Sequence, residues 1–277
     1  MDKKRNLLLT ILVVVAVFVV NLLTANIFNG ITNTYVVTFL VEVKCAALAV
    51  LGAVILKKLW IYRRFDTALL KKGWTAGLFD VIFPLISVLQ YCVLQRQSII
   101  ITARPVEILI FVLAMFFVGI YEETLFRGLL QNGFHEFFGE DTVGHVILAV
   151  VCAGLCFGAF HLTNALKPGV SLSSAAIQAL NACGAGIFYG ALYFRTGKCL
   201  WYNMLIHGFH DTVTFILSGG LNGANSSSVI TQSAQGGAVL SVIVSTALYT
   251  AVGLFLLRKK KVEPLLKKTE TEAEEEA

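Results

Sequence analysis

Residues 106–130 read VEILIFVLAMFFVGIYEETLFRGLL. The run is apolar and long enough to cross a bilayer, which takes about 20 helical residues, yet it carries Glu122 and Glu123 side by side and Arg127 one turn later. An ionisable side chain at the centre of a transmembrane helix costs roughly 2.5 to 3.5 kcal/mol on insertion scales, so such residues are rare, paired and functional by default. Later apolar segments carry His161, His207 and Asp211 as candidate partners. Together these groups suit hydrolytic chemistry inside a membrane.

Working outward, 57% of the 277 residues are hydrophobic and 14% charged, against roughly 45 to 50% and 25% in a soluble domain. Eight segments are long and apolar enough to span: Leu7 to Ile27, Tyr35 to Leu56, Gly77 to Leu94, Val106 to Leu130, Val143 to Leu162, Ser173 to Phe194, Cys199 to Leu217, and Val239 to Leu257. The fold class is all-α, a polytopic transmembrane helical bundle of about eight spans. No barrel-like alternation appears. The first span follows a basic start but lacks a small-residue cleavage site, so it is read as a retained helix. No internal repeat is visible, which argues against a transporter built from duplicated halves.

The net charge of +5 reads as topology rather than as a nucleic-acid surface. Alternate connections hold seventeen Lys and Arg in one set and only Arg96, Arg104 and Lys167 in the other. Cytoplasmic loops carry such an excess, so both termini are placed in the cytoplasm. Residues 1–262 form one membrane domain, and 263–277 a charged, disordered tail. The Gly219 to Gly236 stretch, rich in Gly, Ser and Asn, reads as a mobile external loop. The six cysteines fall in or beside apolar segments with no CxxC pair and read as apolar filler. Glu42 and Lys44, mid-span, are read as lining the same cavity as the acidic pair. His135, His145, Glu136, Glu140 and Glu107 are read as solvated.

Glu123 and Arg127 share a helix face at i, i+4 and can pair, whereas Glu122 is turned about 100° away. Spacing therefore favours Glu122 as the free carboxylate. His161 ends a Phe157-x-x-x-His161 pattern, and His207-x-x-x-Asp211 lets Asp211 or Asn203 fix the His207 tautomer. Hydrolysis needs an activated water, a base and oxyanion donors, with Glu122 as a base and His161 holding the water. The alternative is a divalent metal such as zinc on Glu122, His161 and His207, with water in the fourth position. The zincin motif His-Glu-x-x-His is absent, because His135-Glu136 is followed by Phe137, Phe138 and Gly139.

Glu122-Glu123-x-x-x-Arg127-Gly128, Phe157-x-x-x-His161 and His207-x-x-x-Asp211, in this order and in separate spans, resemble the CAAX protease and bacteriocin-processing family of intramembrane endopeptidases, which includes the type II CAAX prenyl endopeptidases. Tyr189-Gly190, Arg195-Thr196-Gly197 and Leu200-Trp201 are also similar to its pattern. The resemblance covers about Phe111 to Thr212. It implies that Glu122 and His161 activate water, that His207 and Asp211 stabilise the oxyanion, and that Glu123 and Arg127 support the site. An ionised Asp211 only accepts hydrogen bonds, so orienting His207 suits it better.

The partners implied are the lipid bilayer and a protein or peptide substrate near the cytoplasmic face, with lipidated CAAX-type substrates by resemblance. An integral multi-pass protein is implied, in the plasma membrane should the source be bacterial. The other function weighed is a non-proteolytic scaffold or bacteriocin-immunity protein on the same fold. At 1.5 Å per residue, Glu122 and His207 come out roughly 12 Å from the cytoplasmic ends of their spans and His161 roughly 27 Å. A water-filled cavity open to the cytoplasm is expected to join them.

Overall fold

The computed structural model describes residues 2–224, 227, 230, 231 and 237–266. Its long helices are α1 (Lys3–Leu23), α2 (Thr34–Ile55), α3 (Thr67–Leu89), α4 (Pro105–Glu123), α5 (Asn132–Phe138), α6 (Val143–His161), α7 (Leu172–Arg195), α8 (Leu200–Leu217) and α9 (Gly237–Leu256). A π-helical segment, Thr124–Gln131, joins α4 to α5 without a break. Asp2, Asn33, Asp66, Thr142 and Ser171 cap five of the helices by accepting backbone N–H bonds, which satisfies donors that have no partner inside the helix.

The all-helical, multi-pass architecture is as expected. Seven helical stretches are long and apolar enough to cross a membrane among the described residues. α8 is the one expected span that is not among them, because His207, His210 and Asp211 dilute its apolar character. It nevertheless runs between the two ends of the bundle. Trp201 at its start donates to Tyr62 O, and the turn after it meets the entry to α4, where the Thr102 and Ala103 amides donate to Leu221 O. Outward-facing leucines, isoleucines and valines on α1, α3 and α9, such as Leu8, Leu12, Ile82, Leu85, Ile243 and Val244, form the surface that lipid must cover.

Two pairs of glycines set the helix crossings that matter for the site. A Cβ on Gly186 would lie 2.8 Å from the Gly154 Cα, so α6 and α7 meet backbone to backbone. A Cβ on Gly119 would lie 2.6 Å from Met204 O, and one on Gly208 2.9 Å from the Phe116 Cα. Small residues are what allow such approaches between membrane helices. The second crossing places His207 against the acidic end of α4.

Two boundaries differ from the sequence reading. The fourth span does not stop at Leu130 but continues to Phe138, which puts Glu122 about 24 Å from that end at 1.5 Å per residue. His161 stands about 27 Å from the start of α6 by the same rise. Ending the fourth span eight residues early therefore accounts for the mismatch between Glu122 and His161, while His207 stays about 10 Å from the start of α8. Residues 259–266 are helical, with Val262 buried and Leu265 and Leu266 packed beside it, so the packed chain passes 262. The rest of the tail lies outside the described residues. The Gly219 to Gly236 loop is described only in part; its start forms a short turn, Gly220–Asn222, with Leu221 buried.

Candidate functional site

Glu123 is fully buried, and its carboxylate is held on several sides. Arg127 Nη1 lies 2.9 Å from Oε1, His207 Nδ1 donates to Oε1 at 2.8 Å, and Asn203 Nδ2 donates to Oε2 at 3.0 Å. The Arg127 guanidinium is itself enclosed, donating to Gly186 O at 3.3 Å and lying 4.6 Å from the centre of the Phe157 ring. A buried carboxylate held by three side chains, with its guanidinium partner enclosed beside it, forms a fixed anchor.

Glu122 is outside that anchor. Its Oε2 stands 3.5 Å from His207 Nε2, and the residue lines a cavity of about 930 Å³ together with His161, His207 and Asp211. Asp211 Oδ2 lies 3.6 Å from the same Nε2. His161 Nδ1 donates to Phe157 O at 2.9 Å, a bond that the i, i+4 spacing supplies, and this leaves Nε2 as the ring's remaining polar atom. Phe157 packs edge-on against both His161 and His207.

Geometry reassigns one expected role. Glu123, not Asp211, makes the hydrogen bond that orients His207. The bond comes from a neighbouring helix brought close at the Gly119 and Gly208 crossing, so the i, i+4 spacing within α8 did not reveal it. Asn203 serves the same anchor through Glu123 rather than through His207.

The cavity lies toward one end of the bundle. Its wall includes Asn26, Thr32, Lys167, Gly220 and Ala224, all at the end of the bundle poor in Lys and Arg. Nothing from the cation-rich connections 57–66 or 195–199 lines it. Glu42 and Lys44 do line the same cavity, and Lys44 Nζ donates to Thr24 O at 3.2 Å. His135 is buried rather than solvated, Glu136 pairs with Lys58 at 2.8 Å, and Glu107 is held by Arg104 and Asn33.

Among the described residues no three His, Cys, Asp or Glu side chains converge as a metal-binding group. Glu122, His161 and His207 therefore do not fit a zinc site as placed, and no step below runs through a metal. All six cysteines are free.

Sequence reasoning missed Asp80 on α3. It is fully buried and contacts Tyr189, Tyr249 and His210 beside the site. The signal was available, since a lone carboxylate in an apolar span carries the same cost as Glu122.

Residues 104–213 match the protein family described as Type II CAAX prenyl endopeptidase Rce1-like. The match takes in Glu122, Glu123, Arg127, His161, His207 and Asp211 and supports the family resemblance read from the three motifs. It leaves α1 to α3 and α9 outside. No curated protein matches the chain. The chain is an integral multi-pass membrane protein.

Proposed function

We propose that the chain is a membrane-embedded endopeptidase of the CAAX-processing kind, in which Glu122 and His161 activate the hydrolytic water. One observation carries this reading: of the two adjacent carboxylates, Glu123 is locked to Arg127 and His207, while Glu122 faces the cavity beside two imidazoles. A carboxylate not locked to a guanidinium can accept the proton of an attacking water and return it to the leaving amine. His207 has its Nδ1–H committed to Glu123, so Nε2 is the atom it presents toward Glu122 and Asp211.

In the proposed sequence the substrate carbonyl enters the cavity and water held by Glu122 and His161 attacks it. A protonated His207 donates from Nε2 to the developing oxyanion, its charge matched by Glu123 and Asp211. Asp211, 3.6 Å from His207 Nε2, is placed to balance that charge and need not itself donate. The apolar part of the cavity wall, with Phe111, Met115 and Phe160 beside the polar groups, suits a lipidated or membrane-bound peptide, reached from the end poor in Lys and Arg.

The test is cleavage of a fluorogenic prenylated CAAX peptide by the full chain in proteoliposomes. Wild type is expected to cleave it, and Glu122→Gln to lose roughly 10²- to 10⁴-fold in rate while melting normally. Equal rates for the two proteins would refute the assignment, as expected for a scaffold or immunity role.

A further inference from the structure

We propose that Asp80 is a positioning residue for the hydrolytic site, acting on His207 through the ring of Tyr189; this rests on the endopeptidase reading above. Asp80 lies on α3, outside the stretch that matches the family, and is fully buried. Its carboxylate gathers partners from three other helices. Tyr189 of α7 donates to Oδ2 at 2.5 Å, Tyr249 of α9 donates to Oδ1, and His210 Nδ1 of α8 lies 3.0 Å from Oδ1. Pro84 sits one turn later within α3 and cannot donate to the Asp80 carbonyl, which leaves this turn of α3 without its regular backbone bond.

A carboxylate used only to staple helices together has no reason to address the catalytic imidazole. Here one of its two phenol donors does so. The Tyr189 ring stacks on the His207 ring, with centroids 4.7 Å apart and planes 15° from parallel. Tyr189 is held at both ends: Asn203 Nδ2 donates to its carbonyl at 2.8 Å, and the same amide donates to Glu123. The phenol end is fixed by Asp80. The Arg127 guanidinium lies 5.3 Å from the centre of the same ring. His207 is thus clamped between a hydrogen bond to Glu123 in its plane and an aromatic face whose tilt Asp80 sets.

Without the tether the Tyr189 ring can tilt, and His207 Nε2 moves relative to Glu122 and the bound carbonyl. Misplacement of about 1 Å at a reacting centre can cost up to roughly 10²-fold in rate. The cost falls on turnover rather than on binding, because Asp80 has no place in the cavity wall. Tyr249 supplies the contrast, since its phenol meets the other carboxylate oxygen and its ring does not stack on His207.

The experiment compares full-length Asp80→Asn, Tyr189→Phe and Tyr249→Phe in proteoliposomes on the prenylated CAAX peptide, with Glu122→Gln as control. Asp80→Asn and Tyr189→Phe are expected to lower kcat about tenfold with KM within about twofold, and Tyr249→Phe to leave kcat within about twofold. The ring ¹⁵N resonances of His207, identified by their loss in His207→Asn, are expected to move in the first two variants and not in the third. Unmoved resonances and unchanged kcat in Asp80→Asn and Tyr189→Phe, with Glu122→Gln inactive, overturn the proposal alone. An equal kcat loss in Tyr249→Phe also overturns it, by showing a plain structural staple. Full cleavage by Glu122→Gln instead overturns the endopeptidase reading, whereas the resonances report the tether independently of activity.

Discussion

His207 gives its Nδ1–H to Glu123 Oε1 at 2.8 Å and presents Nε2 to Glu122 Oε2 at 3.5 Å, so one imidazole separates a structural carboxylate from a chemical one. His207→Asn removes the ring from both. Positioned acid and base groups contribute typically 10²- to 10⁴-fold, and a loss at the lower end of that range is expected in kcat. The Glu123 and Arg127 pair remains, so the melting temperature in detergent should fall little. An unchanged kcat counts against a role for His207 in the reaction.

Removing one partner of the buried pair behaves differently. Arg127→Met leaves the fully buried Glu123 without its guanidinium, held only by His207 and Asn203, and breaking a buried pair this way costs up to about 3 to 5 kcal/mol. Adding Glu123→Leu to that variant should recover much of the lost stability without restoring cleavage. Chemical denaturation in mixed micelles reads the first effect and the peptide assay the second. If the double variant is no more stable than Arg127→Met, the two charges are not energetically coupled.

Gly208→Ala tests the helix crossing. The added methyl would lie 2.7 Å from Phe116 Cδ1 and 2.9 Å from the Phe116 Cα, and a backbone atom cannot yield as a side-chain tip can. Overpacking of this kind costs typically 1 to 3 kcal/mol, and separating α4 from α8 also pulls His207 from Glu123. Lower stability with a disproportionate loss of cleavage is expected; wild-type values for both would show that the crossing tolerates a methyl group.

Glu140, in the turn between α5 and α6, gives a pH dependence away from the site. Burial raises its carboxyl, but Lys198 and His135 alongside outweigh that and hold it below the usual carboxylate range. A carboxyl depressed on folding contributes stability above its unfolded pKa, and that contribution is lost as pH falls through the folded value. The wild-type melting temperature should therefore fall as pH drops below about 4.3, and Lys198→Met should show a shallower fall. Superimposable curves would remove the ion pair from the account.

Spans were readable because twenty apolar residues have few other fates, and the i, i+4 rule placed Glu123 with Arg127 before any coordinates. What sequence could not give was contact between helices. The bond from His207 to Glu123 depends on a crossing set by Gly119 and Gly208, two residues without side-chain chemistry of their own. Where the fourth span ended was misread because Gln131, Asn132 and His135 look like a solvated exit, whereas they are buried against α7, with Gln131 Nε2 donating to Gly190 O and Asn132 Nδ2 to the Tyr193 hydroxyl. Asp80 was passed over because it stands alone in its span, and its partners are more than a hundred residues away.

The π-helical segment between α4 and α5 closes wider turns than an α-helix, so it changes the angular phase of one continuous rod. Above it, the polar residues are clocked toward α8, where Glu122 and Glu123 meet His207; at its lower end and just beyond, they are clocked toward α7, where Gln131 and Asn132 find their bonds. A rod of uniform pitch has a single clock and could serve only one of those neighbours. Shortening this segment by one residue would leave the upper half in register and rotate the lower half off its partners, so length here is as constrained as the identity of any acidic residue.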